Sequence, residues 1–198
     1  MEVIRSSYRR NSFSKIFENT VFSFPPRMAV ELGILDGYSA FSIGRGLRKA
    51  HEIKGSIGHL HAYDLWDDYP YKHGNMEMVQ VALGAAKVED YVTLHKADAF
   101  LVHREYEDDS VDFLHVDISN TGGVIKHMVE HWTPKIRHCG LFLFEGGSEE
   151  RDNVEWMKKY EGAPIRPVLG SNPIIKENYI YGTYGLFPSL TVMKKVTL

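Results

Sequence analysis

The fold of this chain follows from one stretch near its start, AVELGILDGYS at residues 29–39. An apolar run ends in the acidic Glu31, and two glycines, Gly33 and Gly37, follow four positions apart. Glycine tolerates a positive φ and lets the backbone approach a ligand closely. The stretch therefore predicts a strand, a tight turn and the start of a helix, with Asp36 or Ser39 as its candidate N-cap.

The spacing of the two glycines indicates what the turn can hold. It is Gly-x-x-x-Gly rather than the Gly-x-Gly-x-x-Gly of dinucleotide-binding folds. A carboxylate at Glu31 would repel a pyrophosphate, whereas it could accept hydrogen bonds from a cationic amino group. The turn therefore favours a nucleoside that carries an amino acid over one that carries phosphates.

The composition sets limits on the class of protein. The chain has 198 residues, of which 43% are hydrophobic and 25% charged, which is ordinary for one soluble globular domain. A net charge of -3 gives no overall field that would recruit nucleic acid or an anionic membrane. The single cysteine, Cys139, excludes an internal disulfide and favours a reducing compartment, so we expect a cytoplasmic protein.

Strand and helix patterns alternate along the chain. Strands are predicted over residues 28–32, 59–64, 91–96, 110–117, 141–145, 165–169 and 189–195. Helices are predicted over 12–22, 39–50, 76–87, 124–132 and 153–160, and residues 170–185 are predicted as a long loop or hairpin. This alternation predicts an α/β fold with a mostly parallel sheet and helices on both faces. We expect one domain over 1–198, made of an N-terminal helical segment (1–27) and an α/β core (28–195).

Acidic residues recur at the ends of the predicted strands. Glu31, Asp64, Asp117 and Glu145 end four of them, and Asp98 directly follows a fifth. Ligands of open α/β sheets bind outside the carboxyl ends of the strands, so these acids are expected to line one crevice. A carboxylate at the end of the second strand, Asp64, is placed to hydrogen-bond a ribose diol.

Together these motifs resemble the class I S-adenosylmethionine (SAM) dependent methyltransferases, and among them the metal-assisted small-molecule O-methyltransferases. The matching segments are ELGILDGYS at 31–39, YDLW at 63–66, KADA at 96–99, VDFLHVD at 111–117, NTGGVIKHMVEHWTP at 120–134 and GLFLFEGG at 140–147. The resemblance covers residues 28–195. It implies a single-domain Rossmann-like methyltransferase fold with seven strands, the last of them antiparallel. It also implies SAM as cofactor and a small-molecule acceptor, methylated on a hydroxyl oxygen. The net charge and the lack of a long apolar run predict no nucleic-acid or membrane partner.

The resemblance assigns the methionine end of SAM to the opening turn. Gly33 and Gly37 would admit the methionine moiety. Glu31 would lie near its ammonium group, and Ser39 would hydrogen-bond nearby.

The nucleoside end of SAM is assigned to the segments after the second and third strands. Asp64 would hold the ribose. Leu65 and Trp66 would lie against the adenine, and Asp98 and Ala99 would read its edge.

Three residues are candidates for the catalytic step. The resemblance places Asp117 beside the methyl group. His115 lies two residues earlier and so on the same face of its strand, although a buried core histidine is an equal alternative. His73, on the loop after the second strand, is the other candidate base, since the position where relatives carry a base after the fourth strand is Asn120 here.

The sequence does not decide whether the protein binds a metal ion. Metal-assisted relatives carry an acidic pair after the fifth strand, and this chain has Glu145 followed by Gly146. Asp117 and Glu145 remain as candidate ligands for Mg²⁺, but a hard cation needs several oxygen ligands. The alternative for Glu145 is a strand-end acid that caps the next turn.

Other functions fit parts of the sequence. A methyltransferase-fold protein that binds SAM or a partner but has lost catalysis would also fit the altered positions. The zinc-peptidase pattern His-x-x-Glu-His occurs at 127–131, but it falls on a predicted outer helix and we reject it. The aromatic segments 66–71 and 179–187 suit either the wall of an acceptor pocket or a homodimer contact.

Overall fold

The computed structural model describes residues 4–198, which form the expected α/β fold. Seven strands make a mixed, mostly parallel sheet that is flanked by helices. The chain comprises two compact units, one ending at Leu101 and one beginning at Val102. The assignment of residues 1–198 to one domain remains a prediction.

The first unit is built on three parallel strands. They are β1 (Met28–Leu32), β2 (His59–Asp64) and β3 (Val92–Lys96), in the order β3-β2-β1. Met28 of β1 is paired with His59 of β2, and Leu60 of β2 with Val92 of β3. The helices of this unit are α1 (Ser14–Ser23), α2 (Tyr38–Lys54) and α3 (Met76–Ala85). Because all three strands run the same way, their carboxyl ends meet at one edge.

The N-terminal segment packs onto helix α2. Tyr8 and Phe17 are fully buried, with ring centroids 5.2 Å apart in an edge-to-face arrangement. A Cβ at Gly46 of α2 would lie 2.7 Å from Glu18 O of α1, so only glycine permits so close a helix crossing. The N-terminal segment is therefore an integral part of the first unit.

The second unit contains four strands, β4 (Val111–Val116), β5 (Ile136–Glu145), β6 (Tyr179–Tyr184) and β7 (Leu190–Lys195). Their order is β4-β5-β7-β6, with β4 and β5 parallel and β7 antiparallel to both of its neighbours. The helices are α4 (Gly122–Trp132), α5 (Glu149–Asp152), α6 (Glu155–Lys159), α7 (Ile165–Ser171) and α8 (Pro173–Asn178). The expected antiparallel strand at the end of the chain is confirmed.

The sequence prediction is wrong around residues 165–169, which form helix α7 instead of a strand. The carboxylate of Asp152 accepts hydrogen bonds from the amides of Ile165 (2.8 Å) and Arg166 (2.9 Å) and so caps this helix from a distance along the chain. The sixth strand, β6, lies in the segment predicted as a loop or hairpin. The helix predicted over 153–160 corresponds to α6 at Glu155–Lys159, and the short helix α5 at Glu149–Asp152 lies before the predicted range.

Among residues 4–198, no helix is both long and apolar enough to cross a bilayer.

Candidate active site

The turn after β1 has the geometry that its glycines predict. Gly33 has a φ of 90° and donates its amide hydrogen to Tyr63 O at 2.9 Å. Gly37 has a φ of 84° and is the N-cap of α2, with its amide donating to Ile34 O at 2.8 Å. The N-cap expected at Asp36 or Ser39 is therefore wrong by one or two positions. Ser39 is buried in the first turn of α2.

Asp64 connects the ends of all three strands of the first unit. Its Oδ2 accepts hydrogen bonds from the amides of Ile34 (2.7 Å) and Leu35 (3.1 Å) in the turn after β1. Its Oδ1 accepts from the amide of Trp66 at 3.0 Å, and its backbone carbonyl accepts from the amide of Ala97, after β3, at 3.1 Å. A carboxylate has about four acceptor positions, so one remains for a ligand.

The other residues predicted to bind the cofactor lie in β1 or shortly after β3. Glu31 is fully buried in β1, one residue before the strand ends. Asp98 Oδ1 accepts from the amide of Phe100 at 2.9 Å, which shapes the turn after β3, and Ala99 is buried behind it. Their contacts with SAM remain predictions.

Trp66 is buried beside β3, and its contact with adenine remains a prediction. Its side chain is 2% exposed, and its indole N–H donates to His95 O on β3 at 2.9 Å. The ring therefore anchors β3 within the first unit. Leu65 is half-buried and is the member of the pair with accessible surface.

A salt bridge that the sequence did not indicate fastens the N-terminal segment to the turn. The Arg5 guanidinium donates to both carboxylate oxygens of Asp36, at 2.6 and 2.8 Å, and also to His73 O at 2.9 Å. Hydrogen bonding from Arg5 holds the pKa of the Asp36 carboxyl below its ordinary value. A Cβ at Gly74 would overlap Leu35 O, so the loop that carries His73 lies directly on the turn. His73, a candidate base, is thus held next to the predicted methionine site.

In the second unit, His115 and Asp117 lie at the end of β4. His115 is fully buried in the strand and is paired with Leu143 of β5. Asp117 is half-buried in the loop that follows. The burial of His115 agrees with the alternative of a core histidine, and its catalytic role remains a prediction.

Glu145, at the end of β5, is part of a buried ion pair. Its Oε1 accepts a hydrogen bond from Arg151 Nε at 2.6 Å, and both side chains are less than a tenth exposed. Burial raises the pKa of the Glu145 carboxyl, and the hydrogen bond and charge of Arg151 oppose that rise. One feature of the sequence points to this arrangement, because Gly146 stands where metal-assisted relatives carry the second acid of their pair.

These residues do not fit the divalent cation of metal-assisted relatives. Glu145 faces a guanidinium, whose positive charge would repel Mg²⁺ from the same carboxylate. No three histidine, cysteine or acidic side chains are grouped to hold a metal ion anywhere in residues 4–198. The expectation that Glu145 is a metal ligand is therefore not supported.

The two histidines of the zinc-peptidase pattern contact each other through rings that are tilted by 55°. The rings of His127 and His131 are 4.2 Å apart, and His103 stacks on His131 at 4.5 Å. Burial and the charges of these neighbours lower the pKa of His103.

Comparison with known proteins adds to this geometry. A family model described as "Methyltransferase domain" matches residues 30–145. Among curated proteins, no sequence matches significantly.

Several solved structures are similar to the whole chain. A methyltransferase from Geobacter sulfurreducens is 12% identical, with a TM-score of 0.66 over 94% of this chain and 79% of that one. An O-methyltransferase from Bacillus cereus, in complex with SAH, is 14% identical, with a TM-score of 0.65 over 99% and 84%. An SAH-bound methyltransferase from Podospora anserina is 14% identical, with a TM-score of 0.62 over 93% and 78%. At these identities the similarity concerns the fold.

Proposed function

The chain belongs to the family of methyltransferase domains, and we propose that it transfers a methyl group from SAM to the hydroxyl oxygen of a small-molecule acceptor. Membership of this family makes it a SAM-dependent methyltransferase. The residues that hold SAM and the nature of the acceptor are the parts that we propose.

The observation that carries the proposal is the network around Asp64. One carboxylate organises the turn after β1, while the backbone of the same residue holds the segment after β3. The turn is the predicted methionine site, and the segment after β3 contains Asp98, the predicted reader of adenine. A nucleoside that carries an amino acid would need both segments. Between them it would need the Asp64 carboxylate, which would accept a hydrogen bond from the ribose.

Two features favour SAM over a dinucleotide at this site. The turn lacks the glycine spacing that brings a pyrophosphate onto a helix N-terminus. The buried carboxylate of Glu31 at the end of β1 is unsuited to a phosphate and suited to the ammonium of the methionine moiety. The first argument comes from backbone geometry and the second from charge, and both support the same ligand.

The reaction needs alignment and a route for one proton. SAM supplies an electrophilic methyl carbon on a sulfonium, and the acceptor oxygen must approach in line with the carbon–sulfur bond. A hydroxyl acceptor must lose its proton, so a base within hydrogen-bond reach is required. His73 is our preferred candidate because Arg5 and Gly74 hold its loop against the turn, and Asp117 is the second candidate.

The net charge of the chain and its exposed hydrophobic side chains support a small acceptor. A net charge of -3 offers no attraction for nucleic acid. The exposed hydrophobic residues of β6 and the loop after it, including Tyr181, Tyr184 and Leu186, suit a partly apolar molecule or a second copy of the chain.

A methyl-transfer assay tests this function. Purified protein is incubated with SAM labelled in its methyl group and with catechol, phenol or benzoate as acceptors. We expect labelled ether from at least one hydroxyl compound. Tight SAM binding without transfer to any acceptor would favour the alternative of a protein that has lost catalysis.

A further inference from the structure

Strand β6 lies at the end of the strand order β4-β5-β7-β6, and its outer edge is open. The amide of Val196 donates to Asn178 O at 2.8 Å, in register with the β6–β7 pairing. Hydrogen-bonded pairs alternate along an antiparallel ladder, so the even-numbered residues of β6 bond to β7 and the odd-numbered ones face outward. The amides and carbonyls of Tyr181 and Thr183 therefore point to the open edge, where nothing among residues 4–198 hydrogen-bonds to them.

This edge lacks the features that usually prevent a strand from pairing with another chain. Natural edge strands are protected by charged side chains, by proline or by bulges. The sequence of β6, YIYGTY, contains no charge and no proline, and its register with β7 is continuous. Ile180, Tyr181 and Tyr184 are also 46–61% exposed. An uncharged, apolar edge of this kind is suited to a further strand.

We propose that β6 pairs antiparallel with β6 of a second copy of this chain, about a two-fold axis that passes by Gly182. In this register Tyr181 of each copy lies opposite Thr183 of the other. Residues in a hydrogen-bonded pair exchange both of their backbone bonds, so all the outward amides and carbonyls of these two residues find partners. The dimer does not depend on the proposed function.

The side chains are self-complementary in the same register. Ile180 of one copy lies opposite Tyr184 of the other, and pairs of an aromatic and a β-branched residue stabilise neighbouring strands. At Gly182 nothing lies within 4 Å of the position that a Cβ would take, so the face of β6 is open there. Tyr184 of the second copy lies diagonal to this gap, within reach of an aromatic ring. Because a second β6 supplies both matches, a second copy is favoured over an unrelated peptide.

The exposed area is that of a weak dimer. Ile180, Tyr181, Tyr184 and Leu186 are 46–69% exposed. With roughly 200 Å² for each whole side chain, they offer on the order of 450 Å² per chain before the backbone is counted. Two chains with their edge backbone then approach the roughly 1,200 Å² of the smallest standard interfaces. We therefore expect a dimer that dissociates in the micromolar range.

The first test places like or opposite charges across the axis. Gly182→Glu and Gly182→Lys both have room within one chain, but in the dimer each charge would lie directly opposite its own copy. Analytical ultracentrifugation from low to several hundred micromolar should show dimers of the wild type and monomers of each variant. An equal mixture of the two variants should recover the dimer, because opposite charges then meet. Gly84→Glu, also with open space around it, is the matched control and should dimerise as the wild type does.

Thermal melting of the same samples establishes that the variants are folded. A wild type that stays monomeric at every concentration would overturn the inference. Folded Gly182 variants that dimerise as strongly as Gly84→Glu would overturn it as well. If the mixture of Gly182→Glu and Gly182→Lys stays monomeric, the axis does not pass by Gly182.

The second test introduces no charge. Directly opposite residues of a non-hydrogen-bonded pair have Cα atoms about 4.5 Å apart, which a disulfide can bridge. Cys139, the exposed natural cysteine, is first replaced by serine, and Gly182→Cys is added. Oxidised glutathione should then convert this variant to a covalent dimer, while Gly84→Cys in the same background stays a monomer. Failure of Gly182→Cys to cross-link at concentrations where the wild type dimerises would contradict the proposed pairing.

Discussion

Replacing Asp64 with alanine is expected to weaken both the fold of the first unit and its affinity for SAM. The change removes the acceptor of three backbone amides, those of Ile34, Leu35 and Trp66, at distances of 2.7 to 3.1 Å. The turn after β1 then loses the group that fixes its conformation.

The size of the effect follows from these hydrogen bonds. Bonds to a charged group contribute about 1.5–3 kcal/mol each, but three that share one half-exposed carboxylate do not add, so we expect a total of about 2–3 kcal/mol. For a chain of this length, that corresponds to a fall in Tm of roughly 4–12 °C. The loss of the ribose acceptor and of the prearranged turn should weaken SAM binding roughly 10- to 100-fold.

Thermal melting without ligand and calorimetric titration with SAM measure the two effects separately. Asp68→Ala is the matched control, because the Asp68 carboxylate is exposed and pairs only with Lys96 among residues 4–198. If Asp64→Ala melts within about one degree of the control and binds SAM within about twofold, the role given to this carboxylate is refuted.

Three further predictions follow from contacts in the two units. Gly74→Ala should cost about 1–3 kcal/mol of stability because its Cβ overlaps Leu35 O, whereas Gly84→Ala, with open space around it in α3, should stabilise by about 0.5–1 kcal/mol. Urea unfolding of both variants checks the difference. Arg5→Ala should cost about 1 kcal/mol or less at neutral pH, since Arg5 is 47% exposed. Because Arg5 lowers the pKa of Asp36 from 3.8, this contribution is present above that pH and lost as the pH falls below it, so urea unfolding of wild type and variant should converge in acid. His103 has a pKa below its ordinary 6.5, so the unfolded chain binds more protons there and stability should fall as the pH drops through about 6.5. His103→Gln should flatten that part of the Tm-against-pH curve, and an unchanged curve would exclude this histidine as the cause.

The sequence predicts the first unit well because its signals are local. The bounds of β1 and β2 agree with the predicted 28–32 and 59–64, since each strand is a short apolar run ended by a turn residue or an acid. Asp64 is also predicted at a strand end. Its hydrogen bonds to the turn are not predictable, because they join residues about 30 positions apart.

The sequence predicts the second unit less well because distant residues decide its structure. The sequence predicts a strand at residues 165–169, but these residues form a helix because the carboxylate of Asp152 accepts hydrogen bonds from its first amides. The strand β6 contains Gly182 and exposed tyrosines, and its pairing with β7 makes it a strand.

The buried ion pair between Glu145 and Arg151 has no local signal in the sequence either. Arg151 lies in a charged stretch, Glu149 to Asp152, where an exposed arginine would be the ordinary expectation. Only the fold brings it against Glu145 and buries it. The sequence shows that the second acid after Glu145 is missing, and the structure shows which side chain occupies that region.

The most direct test of the central claim is a calorimetric titration of the wild-type protein with SAM and with SAH. If the network around Asp64 is a SAM site, both ligands should bind once per chain with dissociation constants in the micromolar range, and Asp64→Ala should weaken both. NAD⁺, tested in parallel, should give no binding heat. Absence of binding by SAM and SAH to folded protein would contradict the account.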